Sequence, residues 1–272
     1  MKQLDGKIAI ITGSTKGIGK AIAKRFLEEG AKVVVSSRHE ANIQKALAEM
    51  NSPNVAGKAC DVSRYNEVED LIAFAIERFG ALDILINNAG VAEPFERIIN
   101  APLEAWVAPI ETNLKGTYHG CRAVLPYFLK RGKGKIINMA GAGTGRFNTP
   151  YISGYGSSKA AIYRLTMSLS EEYKGTGVDI MLLNPGMVRT EILGLHEPPP
   201  ELKKRMQTFE KIIDIFGQPP SVAAGLAVKL ASSWSDGKTK VFLSALSRPR
   251  SQWLLLTYPF RKLLGKIDRA EY

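Results

Sequence analysis

The sequence contains few residues of the kinds that bind metals or form covalent cross-links. Its 272 residues include two cysteines, Cys60 and Cys121, which lie far apart and lack the spacing of zinc ligands. The three histidines, His39, His119 and His196, are dispersed as well. We therefore expect no disulfide framework and no metal site, and the scarcity of cysteine fits a reducing compartment.

Long apolar runs are also missing. No segment approaches the roughly 20 apolar residues that a membrane-spanning helix needs. The apolar run in MKQLDGKIAIITG is too short and too interrupted for the core of a signal peptide. These features predict a cytoplasmic protein without a membrane span.

The net charge of +11 is the main compositional bias. Such an excess of Lys and Arg occurs in proteins that bind nucleic acids or membrane surfaces, but it also favours solubility and attracts polyanionic cofactors. The chain has no compact basic run with interleaved aromatic residues, the pattern typical of nucleic-acid binding. We therefore attribute the charge to solubility and a polyanionic cofactor, and expect no nucleic-acid partner.

Short apolar runs alternate with longer amphipathic segments along most of the chain. The apolar runs are KIAIIT, KVVVSS, VAGKACDV, LDILINN, GKIINMA, VDIMLLN and KVFLSA. The segments with helical periodicity are 17–29, 40–50, 64–79, 104–131, 153–173 and 221–232. Nearly unbroken apolar strands are typical of parallel sheets buried on both faces. The pattern predicts an α/β fold with a single doubly wound, Rossmann-like parallel sheet and helices on both faces.

Two segments interrupt this alternation. Residues 187–220 include the proline-rich motifs EPPP and GQPP, and the helical pattern LKKRMQTFEKIIDIF lies between these two motifs. We predict that this segment forms a small helical lid over the carboxyl edge of the sheet. Residues 246–272 follow the last predicted strand. We therefore divide the chain into one Rossmann-like domain, 1–245, and a basic and apolar C-terminal extension, 246–272.

A glycine-rich turn joins the first predicted strand to the first helix, in ITGSTKGIGKAIAKRF. Glycine permits a tight turn and close approach to a pyrophosphate, which the N–H groups and dipole of the following helix stabilise. The spacing G-x-x-x-G-x-G differs from the general G-x-G-x-x-G fingerprint, and a merely structural turn is the alternative. We predict that a dinucleotide contacts this turn, at Gly13, Ser14, Thr15, Lys16, Gly17, Ile18 and Gly19.

The end of the second strand indicates which dinucleotide is bound. A carboxylate there would bind the ribose hydroxyls of NAD, whereas a basic residue accommodates the 2′-phosphate of NADP. The sequence has Ser37 and Arg38 at this position, and Lys16 in the glycine turn. Two cations near the expected phosphate favour NADP(H) over NAD(H). The alternative is that both side chains simply face solvent.

Five motifs in order resemble those of the short-chain dehydrogenase/reductase family over roughly residues 5–245. They are TGSTKGIG at 12–19, NNAG at 87–90, Asn113 in TNLKG, YGSSK at 155–159 and NPGMVRT at 184–190. The resemblance implies an oxidoreductase that moves a hydride between a nicotinamide and a carbonyl or alcohol carbon. It also implies that the domain at 1–245 is both dinucleotide-binding and catalytic.

Tyr155 and Lys159 are one helical turn apart and therefore share a helix face. The resemblance implies that Tyr155 protonates the substrate oxygen as general acid and that Lys159 binds the nicotinamide ribose. A phenol has a reference pKa of about 10, and the nearby charge of Lys159 is expected to favour phenolate. Asn113 resembles the residue that anchors a water linking Lys159 to solvent.

The resemblance assigns three further groups of cofactor contacts. They are Asp61 and Val62 beside the adenine, Asn88, Ala89 and Gly90 along the adenosine ribose, and Pro185, Gly186, Val188 and Thr190 beside the nicotinamide. Structural roles are the alternatives at three positions. Asn88 and Gly90 would then mainly stabilise the strand end, and Thr190 would mainly begin the lid.

One feature of the family pattern is missing. The family usually places a serine shortly before the tyrosine, where its hydroxyl polarises the substrate carbonyl, and Gly141 is the best match here. Three explanations are open. Thr144 or Ser153 replaces that hydroxyl, or the glycine backbone N–H groups act as oxyanion donors. In the third, the chain is a nucleotide-binding sensor or scaffold with little turnover. Because losing one oxyanion donor costs about 10²- to 10³-fold in rate, we expect an active enzyme.

Substrate and assembly are less closely defined. Several apolar residues either line a hydrophobic pocket or pack the lid onto the sheet: Phe95, Phe147, Met187, Leu193, Phe209 and Phe216. We expect a small-molecule ketone, aldehyde or secondary alcohol with hydrophobic bulk. The resemblance further implies a homodimer or homotetramer, formed through the helices at 104–131 and 153–173.

The C-terminal extension combines basic and apolar residues. Around WLLLTYPF it has two acidic residues, Asp268 and Glu271, against six basic ones: Arg248, Arg250, Arg261, Lys262, Lys266 and Arg269. This composition suits peripheral contact with a membrane interface. It also suits packing against the same chain or a second subunit, which is the interpretation we favour.

Overall fold

The computed structural model describes residues 2–145, 148–188 and 198–264. Within these ranges seven strands form one sheet, with every neighbouring pair parallel and the order β3-β2-β1-β4-β5-β6-β7. The strands are β1 (Ile8–Ile11), β2 (Lys32–Ser37), β3 (Val55–Ala59), β4 (Ile84–Asn87), β5 (Gly134–Met139), β6 (Val178–Asn184) and β7 (Phe242–Ser244). Each lies within a predicted apolar run, and the predicted doubly wound sheet is confirmed.

Helices lie between the strands and after the last strand. They are α1 (Gly17–Glu28), α2 (Glu40–Met50), α3 (Tyr65–Phe79), α4 (Leu103–Pro109), α5 (Gly116–Arg131), α6 (Ser153–Glu172), α7 (Lys203–Phe216), α8 (Pro220–Ala231) and α9 (Arg248–Leu263). Short 3₁₀ turns span Pro200–Leu202 and Ser233–Ser235. No helix among the described residues is long and apolar enough to cross a membrane.

Alternating side chains of the strands build a core on each face of the sheet. Ile11 of β1 packs in the core that contains Phe26 of α1, together with residues of α8. Ile10, its neighbour, packs in the opposite core, which contains Phe128 of α5 and residues of α3. All four side chains are fully buried, and each such burial is worth about 1.5–3 kcal/mol. This two-sided coverage explains the unbroken apolar runs of the sequence.

The amphipathic segment 104–131 is divided where the sequence predicted one continuous run. Helix α4 ends at Pro109, a turn of π-helix spans Ile110–Lys115, and α5 begins at Gly116. Proline has no N–H to donate, so the regular hydrogen-bond ladder is interrupted there. Asn113 lies in this π-helical turn and is completely buried.

Two helices lie outside the regular alternation. Helix α7 forms within the predicted lid, and its Phe209 ring lies 6.0 Å from the Phe95 ring of the loop after β4. Helix α9 occupies the C-terminal extension, for which the sequence analysis did not predict a helix. Its Arg261 donates to the Ile215 carbonyl of α7 at 2.6 Å, so the two helices are joined.

Candidate active site

The predicted site residues lie on loops that follow four different strands. The glycine turn follows β1, the NNAG motif ends β4 and continues beyond it, Gly141 follows β5, and Pro185 and Gly186 follow β6. Because the strands are parallel, these loops meet at one edge of the sheet. The strand order reverses between β1 and β4, and ligands of such sheets bind in the crevice at that position.

Close packing explains the glycines after β1. Gly13 and Gly17 have φ angles of +61° and +54°, which side chains rarely adopt. A Cβ on Gly13 would lie 2.8 Å from the Ala89 Cα, and one on Gly19 would lie 2.5 Å from the Asn88 Nδ2. The turn therefore lies directly against the NNAG loop, with Thr15, Lys16 and Ile18 in the same segment.

Helix α1 starts from this turn without a capping side chain. Lys16 occupies the position before the helix in an extended conformation, and no side chain of the described residues bonds to the first-turn N–H groups. Uncapped N–H groups at a helix N-terminus bind anions, and phosphates in particular. The turn and the helix end thus fit a pyrophosphate.

Thr12, Ser14 and Asn88 connect the turn to its neighbours. The Ser14 hydroxyl donates to the Ile11 carbonyl and accepts from the Ser36 N–H, and Ser14 is fully buried. Asn88 Nδ2 donates to the Thr12 carbonyl at 2.8 Å, and the backbone N–H groups of Asn88 and Ala89 donate to the Thr12 hydroxyl. Asn88 therefore ties the NNAG loop to the glycine turn.

Arg38 lies exposed just beyond β2, near Asp61. Burial opposes the charge of Asp61, but hydrogen bonds from Ser63 and the positive charges of Arg38 and Arg64 prevail and lower its pKa. Val62, the next residue, is buried. The predicted adenosine contacts at the ends of β2 and β3 are thus neighbours in the fold.

Tyr155 and Lys159 stand together near the N-terminus of α6. The Lys159 Nζ lies 5.7 Å from the centroid of the Tyr155 ring and donates to the Met139 carbonyl at 3.0 Å. Lys159 is 4% exposed, and burial lowers its pKa to about 8. A Cβ added to Gly141 would lie 2.5 Å from the Tyr155 hydroxyl oxygen. The phenol therefore occupies the space that a side chain at 141 would need.

Burial and the negative charge of Glu93 raise the pKa of Tyr155 to about 12. The spacing of Tyr155 and Lys159 predicts that the charge of Lys159 favours phenolate. In the protein alone, the opposing effects of burial and Glu93 keep the proton on the phenol at neutral pH.

Glu93 is a residue of the candidate site that the sequence motifs did not indicate. Its two carboxylate oxygens accept from the backbone N–H groups of Gly154 at 2.5 Å and Tyr155 at 2.9 Å, which caps the first turn of α6. The side chain is buried. Because 61 residues separate Glu93 from Gly154, no local pattern could have revealed this contact.

Asn113 holds the middle of the site together. Its Nδ2 donates to the Val91 carbonyl at 2.9 Å and to the Ser158 hydroxyl at 3.0 Å, and its Oδ1 accepts from the Val91 N–H at 2.8 Å. The side chain thereby links the loop after β4, which also contains Gly90, to α6.

The two hydroxyls proposed to replace the missing serine have partners within the chain. Thr144 Oγ1 donates to the Gly141 carbonyl at 2.7 Å. Ser153 Oγ accepts from Trp106 Nε1 at 3.0 Å. Each hydroxyl oxygen retains further hydrogen-bonding capacity.

An apolar cavity of about 20 Å³, room for roughly one water molecule, lies beside Tyr155. Its lining contains the buried Glu93 and is completed by Ala92, Phe95, Ile152, Tyr155, Met206 and Phe209. Two of the predicted apolar residues, Phe95 and Phe209, are therefore in the lining, and Met206 and Ile152 join them. Met187 forms a β-bridge with Gly217 at the base of the lid. Three predicted residues, Phe147, Thr190 and Leu193, lie outside the described ranges.

The segment 185–188 follows β6, and a glycine sets its backbone conformation. Gly186 has a φ of +74°, its N–H donates to the Asn184 Oδ1 at 3.0 Å, and a Cβ there would lie 3.0 Å from the Leu246 Cγ. Pro185 precedes it and Val188 is buried.

A parallel sheet of this order, with a glycine turn at its switch point and an uncapped helix behind the turn, defines a dinucleotide-binding protein. The chain belongs to the short-chain dehydrogenase family, whose model, described as short chain dehydrogenase, matches residues 7–199.

Relatives and solved structures agree with this assignment. The chain is 36% identical over 245 residues to dehydrogenase/reductase SDR family member 4 of Bos taurus, covering 88% of this chain and 86% of the relative. It is 35% identical over 223 residues to an uncharacterised oxidoreductase of Staphylococcus aureus strain USA300, covering 82% of this chain and 96% of the relative.

Two solved structures are similar to the fold. A 3-ketoacyl-(acyl-carrier-protein) reductase of Brucella melitensis complexed with NADH matches with a TM-score of 0.79 and 28% identity, covering 89% of this chain and 97% of that chain. A gluconate 5-dehydrogenase of Burkholderia cenocepacia J2315 in complex with NADP and tartrate matches with a TM-score of 0.77 and 28% identity, covering 89% and 94%. The chain is accordingly an oxidoreductase with a fold that binds nicotinamide cofactors.

Proposed function

We propose that the chain is an NADP(H)-dependent oxidoreductase that reduces a ketone or aldehyde, or oxidises a secondary alcohol, with Tyr155 as general acid and base. The observation that carries the proposal is the placement of Tyr155 and Lys159 on one face of α6, with the Tyr155 side chain lining an apolar cavity. The cavity is small, but the apolar side chains of Phe95, Met206 and Phe209 in its lining support an apolar substrate.

The observed packing and the family resemblance together support a set of residues that would hold the cofactor. The side-chain-free turn at Gly13 and the uncapped start of α1 fit the pyrophosphate, and Lys159 would bind the nicotinamide ribose. When bound, the nicotinamide supplies or accepts the hydride.

Tyr155 would transfer the proton. With a pKa of about 12, its hydroxyl is protonated at neutral pH and can donate to a substrate oxygen that gains negative charge. The phenolate that remains would be stabilised by the Lys159 ammonium, held in place by its bond to the Met139 carbonyl. Alcohol oxidation would use the same groups in reverse, with the phenolate as base.

The missing serine hydroxyl requires another oxyanion donor. The backbone N–H groups of Gly141, Ala142 and Gly143 donate to no part of the chain that the structure describes, which supports them as donors. Thr144 and Ser153 remain the side-chain candidates. Thr144 would have to give up its bond to the Gly141 carbonyl, whereas Ser153 accepts from Trp106 and keeps its own proton to donate.

The choice of NADP rests on Arg38. Its charge acts at Asp61, where the adenosine end would lie, and the two similar solved structures contain NADH in one case and NADP in the other. We expect Arg38→Ala to weaken NADPH binding by about 10- to 100-fold, the value of a charge-assisted hydrogen bond, and to leave NADH binding unchanged. Arg64→Ala is the matched control, because Arg64 also acts on Asp61. Equal affinities of the wild type for NADPH and NADH would contradict the assignment.

Turnover is tested by NADPH oxidation with a panel of aldehydes and ketones. The wild type should reduce at least one apolar carbonyl compound, and Tyr155→Phe should lose that activity while it still binds NADPH. The general-acid role is wrong if Tyr155→Phe retains the wild-type rate.

Gly141 supports a second candidate, a nucleotide-binding sensor or scaffold with little turnover. Tight NADPH binding without reduction of any compound in the panel would favour this candidate. The intact set of Tyr155, Lys159 and Asn113 favours the enzyme, because binding alone does not need a proton-transferring pair.

Assembly into a homodimer or homotetramer and a cytoplasmic location stay predictions. Light scattering of the purified chain would measure the number of subunits.

A further inference from the structure

Among the residues that the structure describes, helix α9 packs through one of its faces. Leu254 is 4% exposed, and Arg261 donates to the Leu254 carbonyl of its own helix and to the Ile215 carbonyl of α7. These contacts fix which face of α9 is turned toward the lid helix and which is turned away.

The opposite face is a stripe of large apolar side chains. Trp253, Leu256, Phe260 and Leu263 follow each other at intervals of three or four residues, which places them on one side of the helix. They are 57%, 75%, 69% and 84% exposed. Soluble monomers rarely expose contiguous apolar surface of this kind unless it binds something.

The charged residues of α9 itself are all positive. Between residues 248 and 264 the chain has four basic residues, Arg248, Arg250, Arg261 and Lys262, and no acidic one. An anionic surface complements this helix. A second copy docked on the same face would bring like charges together, in a chain whose net charge is already +11.

We propose that α9 binds the interface of an anionic lipid bilayer, with Trp253, Leu256, Phe260 and Leu263 inserted at the boundary between headgroups and acyl chains. Arg248, Arg250 and Lys262 contact the anionic headgroups. Aromatic and leucine side chains on one face with flanking cations are the features of helices that lie in such interfaces.

Co-sedimentation of the whole protein with lipid vesicles tests the proposal. The wild type should bind vesicles of phosphatidylglycerol and phosphatidylcholine, bind phosphatidylcholine alone much more weakly, and lose binding as salt is raised. The double variant Leu256→Glu with Phe260→Glu should lose binding. The matched control, Ile98→Glu with Ile99→Glu, makes the same charge change at exposed apolar residues outside α9 and should retain it.

Charge variants give an independent test that leaves the apolar stripe intact. Arg248→Gln with Lys262→Gln should weaken binding roughly 25-fold, about fivefold for each cation. Lys24→Gln with Lys45→Gln, on α1 and α2, should have little effect. Trp253 should show a blue-shifted fluorescence on binding, and Trp253→Phe should remove that shift.

Two results would overturn the proposal. One is the absence of wild-type binding to anionic vesicles at low salt. The other is unchanged binding by the Leu256→Glu and Phe260→Glu variant with the wild-type circular dichroism spectrum. The stripe is instead a subunit interface if the wild type does not bind vesicles and this variant has half the molar mass of the wild type in solution.

Discussion

At the scale of single residues, the contact between Tyr155 and Gly141 distinguishes this chain from the usual family pattern. The phenol occupies the space that a side chain at 141 would fill, so glycine is the residue that fits there. The absent serine is therefore coupled to the position of the tyrosine.

This coupling predicts that restoring the hydroxyl lowers activity. In Gly141→Ser the Cβ would lie 2.5 Å from the Tyr155 hydroxyl oxygen and 3.1 Å from the Lys159 Cγ, so the phenol must move. We expect kcat/KM to fall by about 100-fold, a typical result of misplacing a reacting group by 1 Å. Gly145→Ser is the control, because a Cβ there meets nothing within 4 Å. Higher activity of Gly141→Ser would contradict this account.

Glu93 acts at the same scale, through charge. Glu93→Gln removes the negative charge that raises the pKa of Tyr155, so the pKa should fall. The phenolate needed for alcohol oxidation would then form at lower pH, and the alkaline rise of kcat/KM for oxidation should start at lower pH. Glu96→Gln, at a half-buried position three residues further on, should leave the profile in place. A purely structural role for Glu93 would lower the rate without moving the profile.

At the scale of secondary structure elements, hydrogen bonds fix α6 at two positions, and α7 covers the cavity beside its Tyr155. Glu93 caps the first turn of α6, and Asn113 bonds to Ser158 one turn further on. Helix α7 contributes Phe209, whose ring contacts Phe95. The cavity beside Tyr155 thus lies between a fixed helix and a lid.

The lid position of Phe209 predicts an effect on substrate size. Phe209→Ala would enlarge the cavity, so the ratio of kcat/KM for bulky over small ketones should rise by at least about tenfold, the lower value for one methylene group in a pocket. Ile212→Ala on the same helix is the control, because Ile212 is 36% exposed and does not line the cavity. An unchanged ratio would remove Phe209 from the substrate pocket.

At the scale of the whole molecule, the cores on the two faces of the sheet decide which groups are accessible. Cys60 and Cys121 both lie in the core that contains Phe128. Burial is the main cause that raises the pKa of each thiol to about 12. The reactive thiolate is therefore scarce at neutral pH in the folded chain.

This burial predicts an all-or-none response to thiol reagents. In the native protein at pH 8, neither thiol should react with a disulfide reagent within minutes. In guanidinium chloride both thiols should react. Absorbance of the released thiolate measures both. Rapid reaction of one thiol in the native protein would show that its core opens locally.

The sequence alone predicted the seven strands, most of the helix limits, the glycine turn and the pairing of Tyr155 with Lys159. These features depend on local periodicity and on residues within one or two turns of each other. Glu93 as the cap of α6, the contact of Tyr155 with Gly141 and the exposed stripe on α9 were decided only by the tertiary structure. Each depends on how distant parts of the chain pack, and no local pattern specifies such packing.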